Sequence, residues 1–398
     1  MGYDKTFLVV FKHSLMDVAL NMYFYRRPYT TCSFMKINLF TYLFFLLLSV
    51  NFCANAQPSL DTELDKLFAN TPDFSGVVLI ADKGKPIYEK AFGYKRFETK
   101  APLATSSIFE LASVSKQFTA MTILMLKQAG KLAYDDRIDK YISGLPYPGI
   151  TIRHLLNHTS GLPDYQDVMD KHWDKSKVAN NADNIAYLIK YHPAKLFEPG
   201  AKYTYSNTGY MLLASIAERA SGQDFIDFCR TRIFNPIGMT HTDIRTREEK
   251  LKLSDVAWGH IYVPEKKRYV QADSFPEFNY AIWLGNRKGP GRISSTAEDL
   301  LKWDRALYSG KLVSQQTLAE AFIPAKLNDG SLTSYGFGWE LSKSDKLGRI
   351  VWHDGDNPGY KTQITRYIDA DKTVIVLCNN AHEKLPTILK TIDTLLGR

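Results

Sequence analysis

The sequence has few of the residues that usually mark metal or redox chemistry. Its 398 residues include four cysteines and nine histidines, which form no cluster with metal-ligand spacing and no H-E-x-x-H motif. A G-x-G-x-x-G motif and a phosphate-binding loop are also absent. The formal net charge is +8, but no run of like charges stands out, so we interpret the basic excess as solvated surface. The sequence therefore predicts no metal and no nucleic-acid partner.

Long apolar runs are also scarce, and the most prominent one lies near the start of the chain. It covers residues 37–50, follows Lys36 and precedes an A-x-A sequence that ends at Ala56. A positive charge, an apolar core and an A-x-A exit are typical of a secretory signal peptide. The run is shorter than the roughly 20 residues of a membrane-spanning helix. We predict a signal peptide over residues 35–56, with cleavage before Gln57.

The predicted cleavage bears on the compartment and on the thiols. Residues 1–34 lie upstream of the signal, and we interpret them as an extension from a start codon assigned too early. The chain from 57 to 398 is expected to be secreted or periplasmic, with no membrane span after cleavage. It keeps Cys229 and Cys378, both flanked by apolar residues, which favours small core residues over a disulfide. An oxidising compartment still permits a bridge between them.

Strand patterns occur at both ends of this part of the chain. Residues 76–81 and 86–93 read as a hairpin, and further strands are predicted at 335–341, 349–352, 362–368 and 373–378. Between them, residues 131–288 show short helical patterns, and amphipathic helices are predicted at 59–70 and 385–396. This order predicts an α+β fold, an α/β sandwich in one domain over 57–398. Its antiparallel sheet comes from 72–130 and 289–380 and is flanked by terminal helices, with a mostly helical insertion at 131–288.

Ser113 and Lys116 form an S-x-x-K motif at the head of an apolar run over residues 118–126. The run predicts a buried helix, and a spacing of three puts both side chains on one face of its first turn. A hydroxyl needs a nearby base to become a nucleophile, and burial readily lowers the pKa of a lysine amine. The alternative is an N-cap serine beside a solvated lysine.

Two further clusters are candidates for the same site. Tyr205 and Asn207 lie two residues apart on a predicted loop, where a phenol can shuttle protons and an amide can orient a substrate. The alternative is an aromatic packing residue and a helix cap. His353, Asp354, Gly355 and Asp356 follow a predicted strand, where a glycine allows a substrate to approach the backbone as an added strand.

Taken together and in this order, the three clusters resemble the serine β-lactamase and penicillin-binding-protein superfamily, in particular its class C β-lactamase-like branch. That branch includes DD-carboxypeptidases, D-aminopeptidases and esterases. The S-x-x-K motif matches at Ser113 and Lys116, and the Y-x-N motif matches at Tyr205 and Asn207. His353-Asp354-Gly355 stands where the lactamases have K-T-G. Secondary likenesses lie at 156–163, 291–299 and 335–339.

The resemblance implies an acyl-enzyme mechanism without a cofactor. Ser113 would attack a carbonyl, Lys116 and Tyr205 would share the role of base, and Asn207 would contact the substrate. The N–H groups of Ser113 and Asp356 would hold the oxyanion. Whether Lys116 or Tyr205 takes the first proton stays open at this point.

The departure from K-T-G bears on the substrate. A histidine is largely neutral above about pH 6.5, so if His353 binds a substrate carboxylate only when protonated, that binding should weaken above this pH. The alternative is that His353 only hydrogen-bonds the strand and never touches the substrate. In the family that the sequence resembles, an H-x-G motif is associated with peptidases and esterases more than with efficient cephalosporinases. The resemblance therefore implies, as the first hypothesis, hydrolysis of D-amino-acid peptides, amides or esters, as by a DD-carboxypeptidase or esterase. A class C β-lactamase is the second. The third is a penicillin-binding sensor or cell-wall interaction protein that acylates without turnover.

Overall fold

The structure is a computed structural model that describes residues 59–398. The predicted signal peptide at 35–56, its cleavage before Gln57 and the upstream extension 1–34 lie outside the described residues. In the described part, no helix combines the length and the hydropathy needed to cross a membrane. Cys229 and Cys378 are both buried and free, as the sequence favoured.

The helices and strands of the described chain group as the sequence suggested only in outline, with strands near both ends and mostly helices between them. The helices are α1 (Leu60–Ala69), α2 (Lys116–Gln128), α3 (Ile152–Leu156), α4 (Tyr165–His172), α5 (Asn181–Tyr191), α6 (Asn207–Ser221), α7 (Phe225–Cys229), α8 (Arg247–Leu251), α9 (Tyr280–Trp283), α10 (Ala297–Ser309), α11 (Gln315–Glu320) and α12 (Leu385–Leu396). The strands are β1 (Gly76–Asp82), β2 (Lys85–Phe92), β3 (Tyr94–Arg96), β4 (Ala101–Pro102), β5 (Phe109–Glu110), β6 (Asp243–Ile244), β7 (His260–Val263), β8 (Arg268–Gln271), β9 (Ile293–Ser295), β10 (Glu340–Ser344), β11 (Gly348–Asn357), β12 (Tyr360–Tyr367) and β13 (Lys372–Cys378).

A six-stranded antiparallel sheet organises the fold, with the strand order β10-β11-β12-β13-β1-β2. Strands from the two ends of the described chain meet at its centre, where β1 pairs with β13 from Gly76 opposite Cys378 to Asp82 opposite Lys372. The predicted α+β architecture with an antiparallel sheet is therefore confirmed.

The sheet buries both of its faces because the side chains of each strand alternate between them. Val78 and Ile80 point into one core, which α1 and α12 cover. Val77 and Leu79 point into the larger core on the opposite face, which includes α2 and α10. The terminal helices therefore cover one layer, and the helix that begins at Lys116 lies in the other.

Two predicted strands differ from the structure in a way that matters for the site. The strand predicted at 335–341 begins only at Glu340, and the residues before it form a loop in which Gly338 has φ +78°. The strand predicted at 349–352 continues to Asn357, because β12 pairs with it as far as that residue. His353 therefore lies inside a strand rather than after one. Its Asp-Gly-Asp surroundings look like a turn in sequence, but pairing with β12 holds them extended.

Other elements were missed altogether. The region 131–288 also contains the hairpin of β7 and β8, which has few of the apolar alternations that mark a strand. The region 289–380 contains the amphipathic helix α10, which begins after the N-cap Thr296 and ends before Gly310. Both cap signals are visible in the sequence and could have predicted this helix.

Candidate active site

Ser113 lies on a 3₁₀ turn, Ala112–Ser115, which leads directly into α2. The turn is strained, since Ala112 adopts φ +49°, a left-handed conformation that is uncommon for a residue with a Cβ. Two hydrogen bonds fix the backbone of Leu111, the residue before this turn. Leu111 N donates to Ile293 O at 2.8 Å, and Thr362 Oγ1 donates to Leu111 O at 2.7 Å. Tertiary contacts thus keep Ser113 partly exposed at the start of the helix.

Lys116 is fully buried beside Ser113, one turn further along. Its Nζ lies 3.0 Å from Ser113 Oγ, 2.9 Å from Asn207 Oδ1 and 2.9 Å from the carbonyl oxygen of Pro290. Asn207 Oδ1 and the carbonyl can only accept hydrogen bonds. A neutral amine would therefore donate its two hydrogens to them and keep its lone pair for the hydroxyl hydrogen of Ser113.

The surroundings of Lys116 favour this neutral form. Burial lowers the pKa of Lys116 well below its usual value, and the positive charge of Arg287 lowers it further. The charges of Asp354 and Asp164 act in the opposite direction. Within residues 59–398, however, no carboxylate lies within ion-pair distance of Nζ, so no ion pair offsets the cost of burying an ammonium. Pro290 and Arg287 were not among the site residues predicted from the sequence. The only feature of the sequence that could have drawn attention to them is the neighbouring Gly289-Pro290-Gly291 segment.

Tyr205 and Asn207 flank the start of α6. Ser206 is its N-cap, since its Oγ accepts a hydrogen bond from Gly209 N, and Asn207 is the first helical residue. The capping role considered for Asn207 is thus filled by its neighbour, which leaves the Asn207 amide free to meet Lys116. Tyr205 lies on the preceding loop, with its ring centre 4.6 Å from Lys116 Nζ. Both predicted partners therefore converge on the same amine.

Tyr205 is neutral in this setting. Burial of its hydroxyl raises the pKa of Tyr205 well above the usual value, although a hydrogen bond with Ser113 and the 39 % exposure of the residue temper that effect. A phenol with a raised pKa keeps its proton at neutral pH and can only donate it. The two candidate bases are therefore unequal: the pKa of Lys116 is lowered and that of Tyr205 is raised.

His158 is a site neighbour that the motif search did not single out. It is fully buried, its Nδ1 accepts a hydrogen bond from Ser206 N at 3.0 Å, and its carbonyl oxygen accepts one from Thr204 N at 2.9 Å. Its ring centre lies 4.3 Å from that of Tyr205. Burial lowers the pKa of His158, and Lys116 and His353 lower it further, so the ring is neutral. His158 thus fixes the loop that carries Tyr205.

His353 does not fit the role of a titrating carboxylate ligand. Only 1 % of it is exposed, its Nδ1–H donates to the carbonyl oxygen of Asp354, and its Nε2 accepts from the Tyr335 hydroxyl at 2.9 Å. Burial and the nearby Lys116 lower the pKa of His353 to about 3. The neutral ring has a partner on each nitrogen, which favours the alternative that His353 only holds the strand, and its binding of a substrate carboxylate stays a prediction.

Gly355 brings the third cluster against the first. A Cβ on Gly355 would lie 2.3 Å from Leu111 O and 3.1 Å from Ala112 Cβ, so no larger residue fits there. The strand β11 therefore crosses directly over the turn that carries Ser113. This brings the backbone of Asp356, the next residue, to the same region. The three clusters of the sequence thus meet at one place in the fold.

Comparison with known proteins shows to which family the chain belongs. The Beta-lactamase family model matches residues 64–395, which is most of the chain. The chain belongs to the Beta-lactamase family. It is a serine hydrolase of the superfamily that also contains the penicillin-binding proteins.

Relatives within this superfamily differ in the reactions that their names describe. Penicillin-binding protein 4* of Bacillus subtilis (strain 168) is 44 % identical over 345 residues, which are 86 % of this chain and 76 % of that protein. D-aminopeptidase of Gluconobacter oxydans (strain 621H) is 25 % identical over 81 % of this chain, which spans only 58 % of that protein.

Solved structures of the superfamily share the fold. The octameric penicillin-binding protein homologue from Pyrococcus abyssi superposes with a TM-score of 0.72 at 26 % identity, over 85 % of this chain and 77 % of that one. The D-amino acid amidase from Ochrobactrum anthropi SV3, complexed with L-phenylalanine amide, gives 0.67 at 25 % identity, over 84 % and 95 %.

Proposed function

We propose that this protein is an exported hydrolase of D-amino-acid peptides, amides or esters, and that it forms an acyl-enzyme on Ser113. The observation that carries the proposal is the contact between Ser113 Oγ and the buried Nζ of Lys116 at 3.0 Å, without a carboxylate partner for the lysine in the described chain. A buried neutral amine at this distance is a general base for a hydroxyl.

The proposed acylation uses each group once. Lys116 takes the Ser113 proton as Oγ attacks the carbonyl carbon, and the backbone N–H groups of Ser113 and Asp356 stabilise the negative charge on the carbonyl oxygen. Tyr205, kept neutral by its raised pKa, donates its proton to the leaving nitrogen or oxygen as that bond breaks. Of the two residues that the sequence left as candidate bases, Lys116 is therefore the proposed base of acylation and Tyr205 the proposed acid.

Deacylation would reverse these roles around a water molecule. The phenolate of Tyr205, left after it has protonated the leaving group, takes a proton from water as the water attacks the acyl carbon. The acyl–oxygen bond to Ser113 breaks, and Ser113 recovers its proton from Lys116. Because the group that would activate the water is present, a sensor that acylates without turnover is the weaker hypothesis.

The third cluster favours peptide, amide or ester hydrolysis over a β-lactamase. β-Lactam antibiotics carry a carboxylate, and a lysine at position 353 would offer it a permanent cation. His353 is buried and uncharged instead, with its pKa lowered to about 3. The names of the relatives, among them a D-aminopeptidase and a D-amino acid amidase, support the same choice. Export rests on the signal-peptide pattern at 35–56 and is tested by the intact mass of the secreted protein, which should begin at Gln57.

A comparison of three substrates tests the proposal. Purified protein would be mixed with nitrocefin, a p-nitrophenyl ester of a D-amino acid and a D-Ala-D-Ala peptide, and burst and steady-state amplitudes would be recorded. We expect turnover of the ester or peptide well above that of nitrocefin. Ser113→Ala should abolish the acyl-enzyme in mass spectra. A Ser113→Ala variant with wild-type turnover would show that the nucleophile lies elsewhere.

A further inference from the structure

The strand β11 has an open edge beside the proposed active site. Its neighbour β10 pairs with it only as far as Trp352, whereas β12 continues to Asn357. From residue 353 onward the second edge of β11 therefore has no strand partner in the described chain. An extended substrate can add to such an edge through backbone hydrogen bonds.

Side chains alternate along this open segment. The His353 side chain is buried, and Gly355 lies in close contact with the turn that carries the nucleophile. The side chains of Asp354 and Asp356, which alternate with these residues, are exposed. Asp356 lies opposite Lys361 on β12, whose charge lowers the pKa of that carboxyl against the effect of burial. Asp354 lies opposite the uncharged Gln363.

Asp354 is consequently an unpaired carboxylate at the site. Its side chain is 63 % exposed, and the nearest basic nitrogen is Nδ1 of the neutral His353, 3.8 Å from its Oδ1. Burial raises the pKa of the neighbouring Glu340 carboxyl, and the charge of Asp354 raises it further. No lysine or arginine within residues 59–398 forms an ion pair with Asp354.

The position of Asp354 relative to the reaction follows from its two neighbours on β11. The ring centre of His353 lies 6.1 Å from that of Tyr205, and Gly355 packs against the turn that carries the nucleophile. Asp354 lies between them, and its charge opposes the effect of burial on the pKa of Lys116 and adds to that effect for Tyr205. Tyr205 is the proposed acid for the leaving group, which must therefore depart on the Tyr205 side.

We propose that Asp354 makes the leaving-group side of this site select cationic leaving groups, such as those that carry an ammonium, over carboxylates. The inference rests on the proposed function, since it takes Tyr205 as the acid. It reverses the expectation that this strand holds a carboxylate. Unlike charges attract across an exposed groove, and a like charge at the same distance costs a similar amount.

Three amides of one acyl group test the selection. N-acetyl-D-alanine would be coupled to glycine, to glycinamide and to one amine of 1,2-diaminoethane, which gives leaving groups of similar size with a negative, zero and positive charge. We expect kcat/KM to rise in that order, by roughly tenfold or more between the extremes at low salt. Added NaCl should compress the difference, which a merely structural effect would not do.

Two variants localise the effect. Asp354→Asn should bring the three kcat/KM values within about threefold of one another while it keeps the size of the side chain. Asp345→Asn is the matched control: Asp345 is exposed in the turn between β10 and β11, away from the open edge, and its loss should change nothing. Equal kcat/KM values for the three amides, or a charge preference that survives Asp354→Asn, would overturn the proposal.

Failure of the charge selection can be distinguished from failure of the proposed function. If none of the amides turns over, they are used as competitors of a fluorophosphonate that labels Ser113, and protection should follow the same order. If the fluorophosphonate does not label Ser113, the proposed function fails. Calorimetric binding of the three amides to wild type and Asp354→Asn then decides the charge selection by itself.

Discussion

Two buried lysines of this protein meet opposite environments. Lys250, 7 % exposed, donates to Glu110 Oε2 at 2.5 Å, and Asn357 donates to the other oxygen of the same carboxylate. Lys116 is more deeply buried, but its partners are a hydroxyl, an amide oxygen and a backbone carbonyl. Lys250 therefore serves as half of an ion pair that ties α8 to β5, whereas Lys116 is left as an amine whose proton is easily lost.

The comparison shows that burial alone does not make a base. Burial by itself would raise the pKa of Glu110, but the charges of Lys250 and Arg292 lower it to about 2. Burial lowers the pKa of Lys250 too, but the charge of Glu110 opposes this effect. In the part of the chain that the structure describes, no carboxylate contacts Lys116, and Arg287 adds a repulsive charge. The presence or absence of one counter-charge separates a structural lysine from a proposed catalytic one.

Removal of the lysine at the site should have the largest effect on activity. Lys116→Met keeps the volume but deletes the proposed base, so kcat should fall by roughly 10²–10⁴. Stability should be unchanged or higher, because no ion pair is broken. Turnover of the p-nitrophenyl ester checks the expected loss of kcat, and thermal unfolding of the same preparation checks the expected stability. A loss of stability comparable to the loss of activity would mean that Lys116 is a structural residue.

Removal of the other lysine should mainly affect stability. Lys250→Met leaves the Glu110 carboxylate buried without its partner, which costs about 3–5 kcal/mol of unfolding free energy. Denaturant unfolding at pH 7 measures this.

The ion pair also predicts an acid dependence. The pKa of Glu110 is about 2 in the folded protein and 4.5 as its ordinary value, so its contribution is present above pH 4.5 and lost as pH falls towards 2. Glu110→Gln should flatten the decline in stability across that window. A decline as steep as that of wild type would assign acid sensitivity to other groups.

Lys116 can be given the counter-charge that Lys250 has. Asn207→Asp replaces the amide oxygen 2.9 Å from Nζ with a carboxylate oxygen of the same shape. The new charge should raise the pKa of Lys116, hold it as an ammonium and lower kcat/KM at pH 7 by roughly 10–100-fold. Part of this loss should return at high pH, as the ammonium deprotonates. A loss that is equal at every pH would indicate that Asn207 acts through substrate contact alone.

A smaller effect is expected from the repulsive charge. Arg287 is the charge that most lowers the pKa of Lys116, so Arg287→Gln should raise that pKa. The ascending limb of the kcat/KM profile should then move to higher pH, with activity below the limb reduced by a few fold. Arg287→Lys, which keeps the charge, is the control. No shift of the limb in Arg287→Gln would show that another group controls it.

Several features followed from local sequence because they depend on neighbours in the chain. The turn Asp82–Lys85 joins two alternating runs, and the structure has that hairpin as β1 and β2. The spacing of Ser113 and Lys116 fixes their contact through helix geometry alone. Helix α12 was predicted at its observed bounds, Leu385–Leu396, because its apolar stripe is regular and a glycine follows it.

The sequence by itself determined the architecture, the family resemblance and the residue types at the site. The tertiary structure decided their chemistry. Lys116 receives its contacts from residues 91 and 174 positions further along the chain, and His353 receives its partner from the loop that the sequence took for a strand. The pKa of a side chain depends on how much solvent the fold removes and on which charges it brings near. Those are sums over distant residues, which no local pattern in the chain contains.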